Sequence, residues 1–249
     1  MLLARASGFA LDRLLASLAD DDRAGVFGAC EAARARVAAE RAESARTRTL
    51  YHLERTLQAQ GCMVVAGVDE VGRGALAGPL TAAAVVLRPR PRIEKLDDSK
   101  RLSPERREEL ALQIHSAALA VSIAHVEADE IDALGVTAAL KRAITLALAG
   151  IVPAPDHVVI DGLPLGITDH ETAVVKGDAK VAAIAAASIV AKVERDRLMR
   201  EVSAQYPEFD FHINKGYGTR EHMEMIARIG ACPIHRRSFC AGSGTLSLF

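Results

Sequence analysis

The stretch that most restricts the fold is an apolar run, Val64-Val65-Ala66-Gly67-Val68, which ends on two adjacent carboxylates and a glycine-flanked arginine, Asp69-Glu70-Val71-Gly72-Arg73-Gly74. A short apolar run rich in branched residues reads as a buried strand. The next residues decide the topology. Gly72-x-Gly74-x-x-Ala77 fits the dinucleotide-binding fingerprint, but that fingerprint needs a helix to open there, with its N-terminus on the pyrophosphate. Here Gly78-Pro79 leads instead into Leu80-Thr81-Ala82-Ala83-Ala84-Val85-Val86-Leu87, which is apolar, β-branched at its end, and reads as a second strand. A strand, a glycine-rich turn and a strand make an antiparallel pair. Acids beside a flexible cationic loop suit a metal site facing a phosphate, so the stretch points to metal-assisted phosphodiester chemistry.

The rest of the chain supplies a setting for that pair. Residues 1–60 are rich in Ala, Arg, Glu and Leu and read as helices over 11–19, 26–45 and 50–60, stopped by Gly61. This N-terminal helical extension reads as a packing appendage. From residue 64 the texture changes. Strands are predicted over 64–68, 81–87, 119–126, 157–160 and 172–175. Ser103-Pro104 opens a helix, with serine as N-cap and proline at the first helical position. Further helices are predicted over 128–134, 136–149, about 179–205 (stopped by Pro207) and 219–229 (closed by Gly230). The expectation is an α/β protein with a mixed five-stranded sheet flanked by helices. Its parts are the extension over 1–60, a main domain with C-terminal helices over 61–240, and a flexible tail over 241–249.

Composition narrows the partners. The net charge of −1 makes the whole chain no polycation, so a nucleic-acid surface must be local. One local excess lies between Arg88 and Arg107: eight basic residues (Arg88, Arg90, Arg92, Lys95, Lys100, Arg101, Arg106, Arg107) against Glu94, Asp97, Asp98 and Glu105. A charge run of this kind reads first as a solvated face. Cys30, Cys62, Cys232 and Cys240 form no CxxC pair and read as reduced thiols in a cytoplasmic protein. Charges at Arg5, Asp12, Arg13 and Asp20-Asp21-Asp22 interrupt the first residues, which therefore read neither as a secretory signal nor as a membrane span. Residues 179–191 are the most apolar run, but their alanines suit a packed helix.

Three predicted strands end in acids: Asp69-Glu70, Asp161 and Asp178. Strand ends are where α/β sheets gather functional groups. If the first and fourth strands are neighbours, Asp69 and Asp161 meet at one sheet edge, and Glu70 and Asp178 complete a four-carboxylate cluster. Such a cluster repels itself unless hard cations with oxygen ligands, Mg²⁺ or Mn²⁺, relieve it. Two such ions can activate a water and stabilise the leaving oxygen of an in-line displacement. Asp97, Asp98, Asp129, Asp169 and Asp196 read as caps, turn residues or surface charges, with Arg200 a helical partner available to Asp196.

At these residues the chain resembles bacterial ribonuclease HII, the type 2 ribonucleases H. The matching stretches are Asp69-Glu70-Val71-Gly72-Arg73-Gly74, Asp98-Ser99-Lys100-Arg101-Leu102, Ile160-Asp161-Gly162 and Lys176-Gly177-Asp178. Ala187-Ser188-Ile189-Val190-Ala191-Lys192-Val193-x-Arg195-Asp196, Lys215-Gly216-Tyr217-Gly218-Thr219 and His235-Arg236-Arg237-Ser238-Phe239 come after them in family order. Residues 1–50 lie outside the resemblance, and Asp210 stands where the family pattern has glycine. The resemblance implies a ribonuclease H-like fold, cleavage of RNA in RNA–DNA hybrids, and incision 5′ to single ribonucleotides in ribonucleotide-containing duplex DNA. It implies Asp69, Glu70, Asp161 and Asp178 as the catalytic acids holding Mg²⁺ or Mn²⁺. It implies Gly72-Arg73-Gly74 as the reader of the ribose 2′-hydroxyl, and Tyr217 as a stack on a sugar at the RNA–DNA junction. Lys100 and Lys176 are expected phosphate contacts; Lys192 and His235 carry no catalytic role.

The last residues, Thr245-Leu246-Ser247-Leu248-Phe249, come after Ala241-Gly242-Ser243-Gly244 and resemble the pentapeptide by which replication proteins engage the sliding clamp, with Thr245 in place of the usual Gln. Nothing in the sequence demands more than a monomer. Two other readings compete: another metal-dependent nuclease or integrase of the same superfamily, and a non-catalytic nucleic-acid-binding module. The first lacks Gly72-Arg73-Gly74 beside Tyr217; the second has no use for an acid cluster next to phosphate.

Overall fold

The computed structural model describes residues 8–18, 21 and 23–240. The chain divides into two compact units, Met1–Thr49 and Leu50–Phe249. The first is helical, with α1 (Gly8–Ser17) and nearly all of α2 (Ala24–Leu50). Helix α2 runs past residue 45, where the sequence reading ends it. It continues because Arg46-Thr47-Arg48-Thr49-Leu50 offers no glycine or proline to stop it. Along α2, Arg34 pairs with Glu31 and Arg36 with Glu40 at one-turn spacing.

The second unit is built on a single sheet in the order β3-β2-β1-β4-β5. Its strands are β1 (Val65–Val71), β2 (Leu80–Leu87), β3 (Ala118–Val126), β4 (His157–Asp161) and β5 (Glu171–Val174). As expected from the glycine-rich turn, β1 and β2 are antiparallel, from Ala66 opposite Val86 to Val71 opposite Thr81. β2 and β3 are also antiparallel, whereas β4 runs parallel to both β1 and β5. The helices are α3 (His52–Ala59), α4 (Pro104–Ala117), α5 (Ala128–Leu134), α6 (Val136–Ala149), α7 (Ala182–Ser203), α8 (Phe211–Asn214), α9 (Arg220–Ile229) and α10 (Arg237–Cys240). Neither α8 nor α10 is foreseen in the sequence, since a four-residue turn carries no periodicity.

Alternation along the strands sorts their residues into two cores. Val65, Ala83, Val85 and Val159 pack with α4 and α7, while Ala66, Val68, Ala82, Ala84, Val158 and Ile160 pack with Ile131 of α5 and Leu140 and Ile144 of α6. The alanine run from Ala182 to Ala187 is wholly buried, as its small side chains suggest. It lies against β1 at Gly67, where a Cβ would fall 2.2 Å from the Ala183 carbonyl carbon. Absence of a side chain at Gly67 thus sets how closely the central helix approaches the strand that carries the acids.

The start of α7 has no side-chain cap of its own. Glu54 of α3 supplies one, accepting the Ala183 N–H at 2.8 Å. Burial pushes the Glu54 carboxyl up to about 7, although backbone donors at Ala183 and Ala182 favour its charged form. Helix α7 begins at Ala182 rather than near 179, because Gly177–Ala179 forms a separate 3-10 turn that projects Asp178.

Candidate active site

β1 runs through the acids rather than stopping before them: Asp69 pairs with Ala83 and Glu70 with Ala82 of β2. The last rung shared with β4 is Val68 opposite Ile160, so Asp69 and Asp161 stand one residue beyond it on adjacent strands. Asp161 ends β4 and accepts the Gly177 N–H at 2.6 Å, which ties it to the turn bearing Asp178. A Cβ at Gly177 in that turn would crowd the tip of the Ile184 side chain at 2.6 Å and Asp161 Oδ1 at 3.3 Å. The sheet therefore brings all four predicted acids to one edge, with Asp69 and Asp178 buried.

The acids are electrostatically uncomfortable. Burial raises the Asp69 carboxyl well above the usual range, and Glu70 and Asp161 push it further against hydrogen bonds from Ser188 and the Glu70 N–H. Burial also raises Glu70, opposed by Arg73 at 3.8 Å and reinforced by Asp161. Asp178 rises through burial, Asp98 and Asp161, with Lys100 opposing. As placed, no three His, Cys, Asp or Glu side chains among the described residues close on one point tightly enough to hold an ion. The donor set is nonetheless all oxygen, which suits hard divalent cations. Besides Arg73, the chain places a lysine of its own there. The Lys100 ammonium lies 3.8 Å from Asp178 and 4.0 Å from Asp98. Burial lowers its pKa, but Asp98, Asp178, Asp69 and Asp161 together hold it above its ordinary value.

Behind Asp69 sits a hydroxyl pair that sequence reasoning misses, Ser99 Oγ and Ser188 Oγ at 2.9 Å, both buried. A signal for Ser188 exists: it is the one hydroxyl in Ala185-Ala186-Ala187-Ser188-Ile189-Val190-Ala191. Asp98 fulfils its expected cap role, accepting the Lys100 N–H at 2.9 Å, and also faces Asp178.

The Gly72-Arg73-Gly74 turn rests on two buried arginines that the sequence does not single out. Arg195 donates to the carbonyls of Pro79 (2.8 Å), Ala77 (3.0 Å) and Lys215 (2.8 Å). Arg236 donates twice to Gly78 (3.1 and 2.8 Å) and to Arg73 (3.0 Å). Both are fully buried, and these acceptors are all backbone carbonyls. Gly72 takes φ +83°, and a Cβ there would lie 2.2 Å from Arg195 Nε. Tyr217 is half-buried, with the Arg195 guanidinium 5.4 Å from its ring centre. The Tyr217 segment is joined to the arginine turn through Gly216, whose carbonyl accepts from Leu76 N (2.8 Å) and Ala77 N (3.1 Å). Arg73 and Lys176 are exposed.

Two local expectations change. Asp196 pairs with Lys192 at 2.7 Å, one turn earlier, while Arg200 reaches away to Glu108 at 3.2 Å. Asp210 adopts φ +50°, a left-handed conformation natural to glycine and tolerated by aspartate. Among the basic run, Arg107 bonds the Ser99 and Leu102 carbonyls and Arg106 pairs with Glu109; part of that charge is spent within the fold.

A mixed five-stranded sheet with this order, flanked by helices and carrying carboxylates where β1, β4 and the turn after β5 converge, defines a nuclease with the ribonuclease H-like fold. The family model for ribonuclease HII matches residues 66–242, and that for the ribonuclease HII N-terminal domain matches residues 1–58. Ribonuclease HII of Moorella thermoacetica is 50% identical over 198 residues, covering 79% of this chain and 96% of the relative. The crystal structure of ribonuclease H2 from Pyrococcus horikoshii is 27% identical with a TM-score of 0.62, over 72% of this chain and 96% of the other. Ribonuclease HII in the PCNA complex from Archaeoglobus fulgidus is 28% identical with a TM-score of 0.63, over 74% and 98%. The chain belongs to the ribonuclease HII family: it is a ribonuclease H, a metal-dependent endoribonuclease acting on RNA–DNA hybrids. The N-terminal extension, outside the motif resemblance, is matched by a family model too.

Proposed function

We propose that the protein cleaves RNA in RNA–DNA hybrids and also incises 5′ to single ribonucleotides embedded in duplex DNA, leaving 3′-hydroxyl and 5′-phosphate ends. One observation carries the reading: the acid edge and the clamped Gly72-Arg73-Gly74 turn are consecutive in β1 and its following loop. A Cβ at Gly74 would meet nothing of the chain within 4 Å. Glycine at 74 is therefore not required by internal packing, and it leaves room for a sugar to approach the backbone. The 2′-hydroxyl is the group that separates ribose from deoxyribose.

Asp69, Glu70, Asp161 and Asp178 would hold two divalent ions, Mg²⁺ or Mn²⁺, and the all-oxygen donor set fits either. When bound, such ions lower the pKa of a water and stabilise the departing 3′-oxygen. The chain's own residues align the substrate. Arg73, exposed and 3.8 Å from Glu70, can fork onto a phosphate beside the acids. Lys100 and Lys176 add phosphate contacts, and Tyr217 stacks on the sugar at the junction. Ser188 keeps Asp69 oriented.

Residues 61–240 act as the catalytic domain, residues 1–60 as a helical extension, and residues 241–249 as a tail. The Thr245-Leu246-Ser247-Leu248-Phe249 motif lies outside the described residues. We read it as a sliding-clamp ligand, which is supported by the relative from Archaeoglobus fulgidus having been solved as a PCNA complex. Docking there would bring a cytoplasmic, monomeric nuclease to newly made DNA for ribonucleotide excision repair. Among the described residues no helix is long and apolar enough to cross a membrane. The test is cleavage of a duplex containing one ribonucleotide, compared with an all-DNA duplex, with and without Mg²⁺. Incision of the first alone, and only with the cation, is expected. Equal cleavage of both would favour a general nuclease, and binding without cleavage a non-catalytic module.

A further inference from the structure

Two buried histidines outside the acid edge are tied into one chain of hydrogen bonds. His222 Nδ1 lies 2.9 Å from the Tyr217 carbonyl, His222 Nε2 lies 2.9 Å from His235 Nε2, and His235 Nδ1 lies 2.9 Å from Cys232 N. Only one arrangement of protons satisfies all three. A carbonyl can only accept, so His222 Nδ1 carries a hydrogen and, in a neutral ring, its Nε2 is bare. His235 Nε2 must then donate, which leaves His235 Nδ1 to accept the Cys232 N–H. The Cys232 thiol lies 3.1 Å from the same nitrogen; the Cys232 carbonyl, 3.3 Å from it, accepts the His235 N–H at 3.0 Å. Phe209 and Phe211 surround the pair, with ring centres 4.8 to 6.1 Å from the two imidazoles. Burial holds both histidines below their ordinary pKa, His235 at about 4 with His222 adding to the effect, in keeping with neutral rings.

The chain of bonds closes a circuit around the substrate turn. His235 bridges to Ala77, Arg236 N donates to Leu76 O at 2.8 Å, and Gly78 N donates to Ile234 O at 2.9 Å. On the other side, Gly216 O accepts from Leu76 and Ala77, and the Tyr217 carbonyl accepts from Thr219 N at 2.8 Å as well as from His222. The turn from Gly72 to Gly78 is thus flanked by two segments, and the histidine pair is the link between them.

We propose that His222 and His235 are positioning residues: a tautomer-locked relay from Cys232 to the Tyr217 carbonyl that fixes Tyr217 relative to the Gly72-Arg73-Gly74 turn. This rests on the reading of Tyr217 as a substrate contact. Nitrogen-15 NMR of the full chain at neutral pH should show His222 as the Nδ1–H tautomer and His235 as the Nε2–H tautomer. The opposite pair, or a charged ring, overturns the relay. On a duplex with one ribonucleotide, His222→Leu should lower kcat/KM by about tenfold through misplacement of Tyr217. His222→Asn, which keeps a donor near the Nδ1 position, should stay within about threefold of the native rate by the same reasoning. In a Tyr217→Ala background, His222→Leu should have no further effect. If Tyr217→Ala alone leaves cleavage unchanged, the Tyr217 reading falls and takes the proposal with it. If Tyr217→Ala slows cleavage but the His222→Leu loss persists undiminished on top, the relay alone is overturned.

Discussion

The acid edge and the turn beside it solve the problem of buried charge in opposite ways. At the edge, Asp69, Glu70 and Asp178 are pushed above the ordinary carboxylate range by burial and by the nearby Asp161, with Glu70 adding to Asp69 and Asp98 to Asp178. Their relief comes from outside the cluster: a serine, an arginine and a lysine on its margins. Under the turn, Arg195 and Arg236 are just as deeply buried, and burial lowers both, Arg236 to about 10 with Arg195 adding to it. Yet these guanidiniums are satisfied by carbonyls of the very loop they support. One region is left short of positive charge and calls for cations. The other is complete without a ligand and can hold a shape in advance. On the proposed function the two work side by side: a site that would bind metal because it is strained, and a template that would read sugar because it is not.

The contrast can be broken most severely at Asp69. Asp69→Asn should lower cleavage by at least about a thousandfold, roughly 4 kcal/mol of transition-state stabilisation, while hybrid affinity measured by fluorescence anisotropy holds. Next comes the scaffold. Arg195→Met strands the carbonyls of Ala77, Pro79 and Lys215, and urea unfolding should show a loss of about 3 kcal/mol or more. A loss near zero would mean that the turn holds its shape without the guanidinium. Arg73→Ala, on the surface of the same turn, should spare stability and slow junction cleavage by about tenfold through one lost charge-assisted phosphate contact. An unchanged rate would remove Arg73 from recognition.

The smallest effect concerns Glu54, a buried carboxylate with a helix cap as its reward rather than a metal. Its pKa is raised from 4.5 to about 7 in the folded chain. The folded state therefore holds a proton that the unfolded state releases, so this contribution to stability is complete below about 4.5 and is lost as the pH rises through about 7. Glu54→Gln should flatten that decline in unfolding experiments across the same window while still accepting the Ala183 N–H. A native-like pH slope in the variant would assign the decline to other groups.

How much of this is legible in the sequence depends on what each residue type announces. The order of strands and helices is readable because alternation and helix caps are local signals, and the β1–β2 hairpin comes from glycine chemistry alone. The convergence of Asp69, Glu70, Asp161 and Asp178 is readable because acids at the ends of apolar strands are conspicuous. The clamp is not. An arginine among charged residues on a helix, as at Arg195, looks solvated until the fold shows that it lies under Gly72 and Gly78. Nor can the spacing of His222 and His235 reveal a bond between their Nε2 atoms, because two segments must pack around Phe209 and Phe211 before the rings meet. Asp210 shows the reverse case: the sequence flags a departure, and the aspartate there adopts a left-handed conformation that glycine would also take.

On the proposed function, the strained acids perform hydrolysis on a ribonucleotide presented by the clamped turn. The most direct measurement is Mg²⁺-dependent incision of a duplex carrying one ribonucleotide, by the native chain and by Asp69→Asn, with binding followed in the same samples. Cation-dependent incision 5′ to the ribonucleotide by the native chain is expected, with a variant that binds but does not cut. Normal turnover by Asp69→Asn would contradict it.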